Sequence, residues 1–130
     1  MPKKVMIAVV DDDESMREAL AGLMKSLGYR AVAFPSAEDF LHSVGRDSTA
    51  CLITDVQMPG MTGPELHDRL ITSGQPVPTI LITAYPEEQT RLRVLQAGAV
   101  CYLTKPFKEH ELIACLDAAL QNHAPRQGGT

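Results

Sequence analysis

Short apolar runs exchange five times with longer stretches of helical spacing along this chain, and that exchange constrains the fold more than any other feature. The runs are of strand length and do not alternate cleanly with polar residues, so as strands they need apolar cover on both faces. Helices lying between them can supply that cover. The pattern therefore predicts an α/β fold, a parallel five-stranded sheet wrapped on both sides, with strands at 5–10, 30–34, 50–54, 79–83 and 100–104.

The intervening segments carry helix punctuation. Met16, Leu20, Leu23, Met24 and Leu27 form one stripe that ends at Gly28, a residue suited to a left-handed C-terminal cap. Asp13 is placed to cap the start of that helix. A second, shorter helix is expected to begin at Ser36, with Asp39 three positions on, to face inward through Phe40, Leu41 and Val44, and to end near Gly45. Thr62 and Glu65 have capping-box spacing and Pro64 fits a first turn, so a third helix carries Leu66, Leu70 and Ile71 inward before residues 74–78 break it. Pro86 opens a fourth helix through Leu92, Val94 and Leu95 to Gly98, and Leu112, Ile113, Leu116, Ala119 and Leu120 mark a fifth. Residues 1–122 read as one domain and 123–130 as a flexible tail or truncated linker.

Composition narrows the partners. With 45% hydrophobic and 22% charged residues among 130, the chain has the makings of one globular core. Twelve Lys plus Arg against sixteen Asp plus Glu give a net charge of −4, which offers no basic field for direct nucleic-acid binding. Lys3 and Lys4 precede an apolar run in the manner of a signal peptide, but that run is short and ends in Asp11-Asp12-Asp13-Glu14. No run reaches the roughly twenty residues of a bilayer span, so no membrane partner is expected. The three cysteines, at 51, 101 and 115, are odd in number and lack CxxC or Cys/His metal spacing, which points to a reducing cytosol, with Cys51 and Cys101 as small core residues. The histidines at 42, 67, 110 and 123 fall on expected polar helix faces or in the tail and are assigned no chemistry.

Ligands of open parallel sheets bind at the carboxyl ends of the strands. Those ends hold Asp11-Asp12, Asp55, Thr83-Ala84 and Lys105. Carboxylates gathered in one crevice repel one another unless a cation joins them, and an all-oxygen ligand set with no His or Cys favours Mg²⁺. Lys105 would add a fixed positive charge for an anion beside the metal, and Thr83 with the Ala84 backbone N–H would donate hydrogen bonds to it. The whole describes a phosphoryl pocket. Asp55, at the end of the central strand, is the candidate nucleophile, because a carboxylate can form an acyl phosphate; Asp11 and Asp12 suit the metal.

Val9-Val10-Asp11-Asp12-Asp13, the stretch from Asp55 through Met58-Pro59-Gly60-Met61-Thr62 to Gly63, Thr83-Ala84 and Lys105-Pro106-Phe107 together resemble the receiver domain of two-component response regulators. The resemblance covers nearly the whole chain. The segments from Ser36 to Leu41 and from Met58 to Leu66 are most similar to receivers of nitrogen-fixation-type regulators, which usually precede a helix-turn-helix DNA-binding domain; the chain is thus expected to be a stand-alone receiver or a segment of a longer transcription factor. The resemblance implies a flavodoxin-like (βα)5 sheet of order 2-1-3-4-5. It also implies that Asp55 accepts a phosphoryl group from a histidine kinase or phosphotransfer protein. Asp12 and Asp55 would hold Mg²⁺ through side chains, Asp11 largely through water and Gln57 through its backbone carbonyl. Thr83 and Lys105 would hold the phosphoryl oxygens, Tyr102 would be the aromatic whose rotamer follows phosphorylation, and the Lys105-Pro106 bond would be cis.

The expected response is a repacking of the face made by the fourth helix, fifth strand and fifth helix, where Arg91, Arg93, Lys108, Glu109 and Glu111 could dock an output domain or a second copy in a phosphorylation-dependent homodimer. Two other functions compete. An aspartate-based phosphohydrolase would share the metal, but normally places a second carboxylate two residues after its nucleophile, where this chain has Gln57. A phosphorylation-independent interaction module would have no need of the acidic, hydroxyl and ammonium groups together.

Overall fold

Each apolar run becomes a strand and each periodic stretch a helix. The structure is a computed structural model that describes residues 5–123. In chain order it runs β1 (Met6–Val10), α1 (Glu14–Ser26), β2 (Arg30–Phe34), α2 (Ala37–Leu41), a 3-10 turn (Arg46–Ser48), β3 (Thr49–Asp55), α3 (Gly63–Thr72), β4 (Thr79–Thr83), α4 (Glu88–Gln96), β5 (Cys101–Thr104) and α5 (Glu109–His123). The strands form one sheet of order β2-β1-β3-β4-β5, and every pairing is parallel. This is the flavodoxin-like order the resemblance implied. α5 includes His123, one residue past the expected domain end, and residues 124–130 lie outside the described region, as do Lys3 and Lys4.

Successive side chains of a strand point to opposite faces, so β1 feeds two cores at once. Ile7 and Val9 pack with Leu20 and Met24 of α1, Ile53, Ile80, and Leu112 and Leu116 of α5. Ala8 and Val10 pack on the other face with Phe40 of α2, Leu52, and Leu66 and Leu70 of α3. Removing a side chain such as Phe40 from water contributes about 1.5–3 kcal/mol. A smaller cluster of Val56, Leu81, Val94 and Ala99 seats α4.

The helix starts follow the sequence signals. Asp13 caps α1, its carboxylate accepting from Ser15 N–H at 3.0 Å. Ser36 caps α2 through Asp39 N–H, and Thr62 and Glu65 complete a reciprocal capping box on α3. A cap of this kind is worth about 1 kcal/mol. Gly28, at φ 94°, takes the left-handed turn after α1.

Several expected inward positions do not face inward. α2 stops at Leu41, where the Arg46 guanidinium donates to the Leu41 carbonyl at 3.1 Å, so Val44 has left the helical stripe and stands fully exposed. Leu27 is the C-cap residue of α1 and is exposed, as are Ile71 in the last turn of α3 and Leu92 on α4. The place beside Leu66 and Leu70 that a polar-face reading denied to His67 is in fact its own: it is buried. Burial holds its pKa below the ordinary value, with Asp68 opposing. Cys101 is not a separate core thiol. It sits half-buried on the edge strand β5 and is disulfide-bonded to Cys115 of α5, their Cα atoms 6.0 Å apart. Cys51 is free and fully buried, and burial pushes its thiol up to about 12.

Candidate functional site

β1 and β3 are paired in parallel with Val10 opposite Thr54, so the residues that follow, Asp11-Asp12 and Asp55, emerge together at the carboxyl end of the sheet. Ligand oxygens of Asp11, Asp12 and Asp55 all lie within 4.8 Å of one another. Asp11 and Asp55 are buried and Asp12 is exposed, which leaves the cluster open on one side. Opposite them, Lys105 Nζ stands 3.5 Å from Asp11 Oδ2 and 3.6 Å from Asp55 Oδ1. At that length the ammonium pairs loosely with both carboxylates, and Asp11 Oδ2 remains a buried oxygen without a hydrogen bond among the described residues.

The remaining lone pairs are fixed by backbone. Asp11 Oδ1 accepts from Asp13 N–H and Asp55 Oδ1 from Val56 N–H, both at 2.9 Å. Burial first, and the Asp11 carboxylate second, push Asp55 up to about 6, against the downward pull of Lys105. Asp11 is also raised, by burial, with the Asp13 N–H and Lys105 opposing. Both carboxylates are therefore short of positive charge. A divalent cation fits that deficit and the orphaned Asp11 oxygen, and the all-oxygen set is the hard donor type that Mg²⁺ prefers.

The hydroxyl lies next door. β4 runs beside β3 with Ile82 opposite Asp55, which puts Thr83 one residue beyond. Its Oγ1 donates to Gln57 Oε1 at 2.7 Å and accepts from Tyr85 N–H at 2.9 Å. Thr83 also anchors the lysine segment, since Lys105 N–H donates to the Thr83 carbonyl at 2.7 Å. The Lys105-Pro106 bond is cis, as the resemblance implied. Tyr102, half-buried, packs its ring on the Val56, Leu81, Val94 and Ala99 cluster, while its hydroxyl accepts from Glu87 N–H at 3.2 Å, at the N-terminus of α4.

Asp11, Asp12, Asp55 and Lys105 are thus brought to one crevice, with Thr83 and Gln57 on its β4 side and Tyr102 beyond on β5. The charged group expected on the output face is less uniform. Arg93 turns toward α3 and pairs with Asp68 at 2.7 Å, and the Glu111 carboxylate is engaged by Lys108 N–H at 2.8 Å as a cap on α5. Arg91 pairs with Glu88 within α4.

Three supporting residues escaped the sequence reading. Arg17 Nη1 donates to the Asp11 carbonyl at 2.8 Å, fixing the strand end from one turn inside α1. Glu38 Oε2 accepts from Met61 N–H at 3.1 Å and so ties α2 to the loop that follows Asp55. Gly63, quoted only as part of a motif, has no room for a side chain: a Cβ there would run into the Asp55 carbonyl oxygen. For Arg17, its position one turn after a capping aspartate was a usable signal; Glu38 and Gly63 required the tertiary fold.

The family profile described as "Response regulator receiver domain" matches residues 7–117. Among curated proteins, the response regulator protein TmoT of Ectopseudomonas mendocina is 38% identical over 122 residues, 94% of this chain and 55% of the relative. The transcriptional regulatory protein FixJ of Bradyrhizobium diazoefficiens is 34% identical over 125 residues, 96% of this chain and 61% of FixJ. The chain thus spans little more than half the length of these relatives. Among solved structures, the crystal structure of FixJ-N superposes with a TM-score of 0.83 at 30% identity, covering 92% of this chain and 96% of that one. The response regulator StyR superposes with a TM-score of 0.86 at 37% identity, covering 98% of this chain and 64% of StyR. With the acidic crevice, the sheet order and these matches in agreement, the chain belongs to the response regulator receiver domain family of two-component signalling proteins, with transcription regulators among its relatives.

Proposed function

We propose that this domain is the phosphoacceptor of a two-component relay, and that Asp55 receives the phosphoryl group from a phosphohistidine of a histidine kinase or phosphotransfer protein. The observation that carries the reading is the geometry around Asp55: a buried carboxylate within 4.8 Å of two others, faced by an ammonium at 3.6 Å and set beside a hydroxyl-bearing strand end. An Asp55 carboxylate oxygen attacks phosphorus, the P–O bond forms as the P–N bond breaks, and the electron pair leaves with the imidazole. Asp11, Asp12 and Asp55, with the Gln57 backbone carbonyl, would hold Mg²⁺, which when bound offsets the crowded negative charge and polarises phosphoryl oxygens. Lys105 takes up the charge of one phosphoryl oxygen.

Thr83 has to change partners. Its proton now goes to Gln57 Oε1, and a phosphoryl oxygen, being charged, is the stronger acceptor. Moving Thr83 toward it frees the space beside β5 for Tyr102 to turn inward, which releases Glu87 N–H and loosens the start of α4. The α4-β5-α5 face then differs between the two states and can select an output domain or a second copy. Gln57, an amide, supplies no titratable proton for hydrolytic turnover, so the role is signalling, with residues 1–122 as the working unit in the reducing cytosol.

The test is incubation with Mg²⁺ and a small phosphodonor, followed by intact mass. The wild type is expected to gain one phosphoryl group, and Asp55→Asn and a magnesium-free control to gain none. An unchanged wild-type mass, or equal labelling of Asp55→Asn, would refute the assignment. Thr83→Ala is expected to be labelled yet to lose the phosphate-dependent change in sedimentation.

A further inference from the structure

Cys101 and Cys115 take no part in the acceptor chemistry, yet they stand at its output edge. Among the described residues β5 is an edge strand with one strand neighbour, β4, and Cys101 is its first residue. Its side chain joins the core layer of α5, packing against the cluster that contains Leu112, Cys115 and Leu116. Tyr102, the next residue, joins the opposite layer with Val56, Leu81, Val94 and Ala99. Cys101 and Tyr102, neighbours on one short strand, thus face opposite layers. The ring closed by the bond, residues 101–115, contains Tyr102, Lys105 and the first turn of α5.

We propose that Cys101 and Cys115 are a reversible thiol–disulfide site, oxidised by low-molecular-weight disulfides of the glutathione class, whose closure tethers β5 to α5 and restrains the face that carries Tyr102. The separation of 6.0 Å between Cα atoms lies within the range a disulfide spans without backbone movement, so both redox states fit one fold. Access differs between the two sulfurs. Cys101 is half-buried at the sheet edge and Cys115 is 7% exposed, so Cys101 is the one a small reagent reaches first. The Cys101 thiolate attacks one sulfur of the small disulfide, forming a mixed disulfide and releasing one small thiolate. The Cys115 thiolate then attacks the Cys101 sulfur, closing the internal bond and releasing the second. Two protein thiols lose two protons and two electrons, and the reagent is reduced to two thiols. In a reducing compartment such a bond is transient, which is what a responsive site requires. Cys51, fully buried with its thiol pushed up, stays outside the exchange.

The full 130-residue chain is equilibrated in graded mixtures of reduced and oxidised glutathione without a phosphodonor, so that failure of the Asp55 reading leaves this test intact. It is then acid-quenched, denatured and alkylated, and the intact mass is read. The expected result is three alkylated cysteines at the reducing end, one at the oxidising end, and a sharp transition between. Cys51→Ala should keep the transition with two and none. Cys115→Ser, or Cys115→Ala if the serine variant fails a circular-dichroism check of folding, should stop at a glutathione adduct on Cys101. Closing a ring of this size should also raise the thermal midpoint of the oxidised wild type over the reduced by on the order of 10 °C, and slow amide exchange in β5 and the first half of α5. Three alkylatable thiols at every poise, a bond that never opens at the reducing end, or equal midpoints and equal exchange in the two forms would each overturn the proposal.

Discussion

The acidic pole and the α4-β5 edge belong to one sheet, but they are built to different standards. Every residue of β1, β3 and β4 is buried, with two helical layers packed on them, and Asp11 and Asp55 emerge from that block. On the other side β5 is only half-buried, and α4 seats a single buried side chain, Val94. Under the proposed function, the carboxylates that must be held in fixed geometry lie on the heavily packed part, and the surface proposed to change its packing lies where little packing has to be broken.

If that contrast is real, truncations should show it first. Leu52→Ala, in the center of β3, is expected to cost about 3–5 kcal/mol in urea unfolding, whereas Leu92→Ala, exposed on α4, should stay within about 0.5 kcal/mol. Comparable losses would mean that α4 is anchored as firmly as the sheet. Gly63→Ala belongs with the costly group, because its new methyl meets the Asp55 backbone. Gly22→Ala, whose Cβ would meet nothing within 4 Å inside α1, should instead stabilise by up to about 1 kcal/mol.

Rigidity at the acidic pole has a cost that pH exposes. Asp55 titrates near 6 in the folded chain and near 3.9 unfolded. Between those values the native state retains a proton that the unfolded state has shed, so stability falls as pH rises from about 4 to about 6 and is level above. Asn carries no such penalty. In metal-free buffer, Asp55→Asn should match the wild type below about pH 4 and exceed it by roughly 1–3 kcal/mol above about pH 6.5. Magnesium should shrink the difference by stabilising the wild type selectively. A variant no more stable than wild type at neutral pH would show that Lys105 already balances the cluster.

How much of this was readable before folding follows the same division. The strands and the acidic ends were legible because continuous apolar runs and strand-terminal Asp, Thr and Lys are local signals. What failed was local too, but undecidable locally. Helical periodicity places Val44, Ile71 and Leu92 on apolar stripes without saying where a five-residue helix stops or how wide a face of α3 and α4 is covered. His67 looked polar because its type is, although Leu66 and Leu70 beside it are core. The Thr83–Gln57 hydrogen bond joins residues 26 apart and the Cys101–Cys115 bond residues 14 apart. Neither pairing has a signature in spacing, since one depends on which strand ends lie side by side and the other on how α5 packs against β5.

A single hydroxyl is the sharpest probe of the edge. Tyr102→Phe keeps the ring on its apolar cluster and deletes only the hydroxyl that accepts from Glu87 N–H at 3.2 Å. Glu87 has no side-chain cap on α4, so the loss falls on the first turn of a helix held by one buried residue. An exposed hydrogen bond of this type contributes about 0.5–1 kcal/mol, which corresponds to roughly a two- to fivefold rise in local opening. Amide exchange at Arg91 and Leu92 should accelerate by that factor, while amides of β1 and β3, strands buried along their whole length, should hardly move. Acceleration of both groups together would mean that α4 and the central strands open as one unit, and the contrast between a firmly packed acidic pole and a lightly seated α4-β5 edge would fail at its weakest joint.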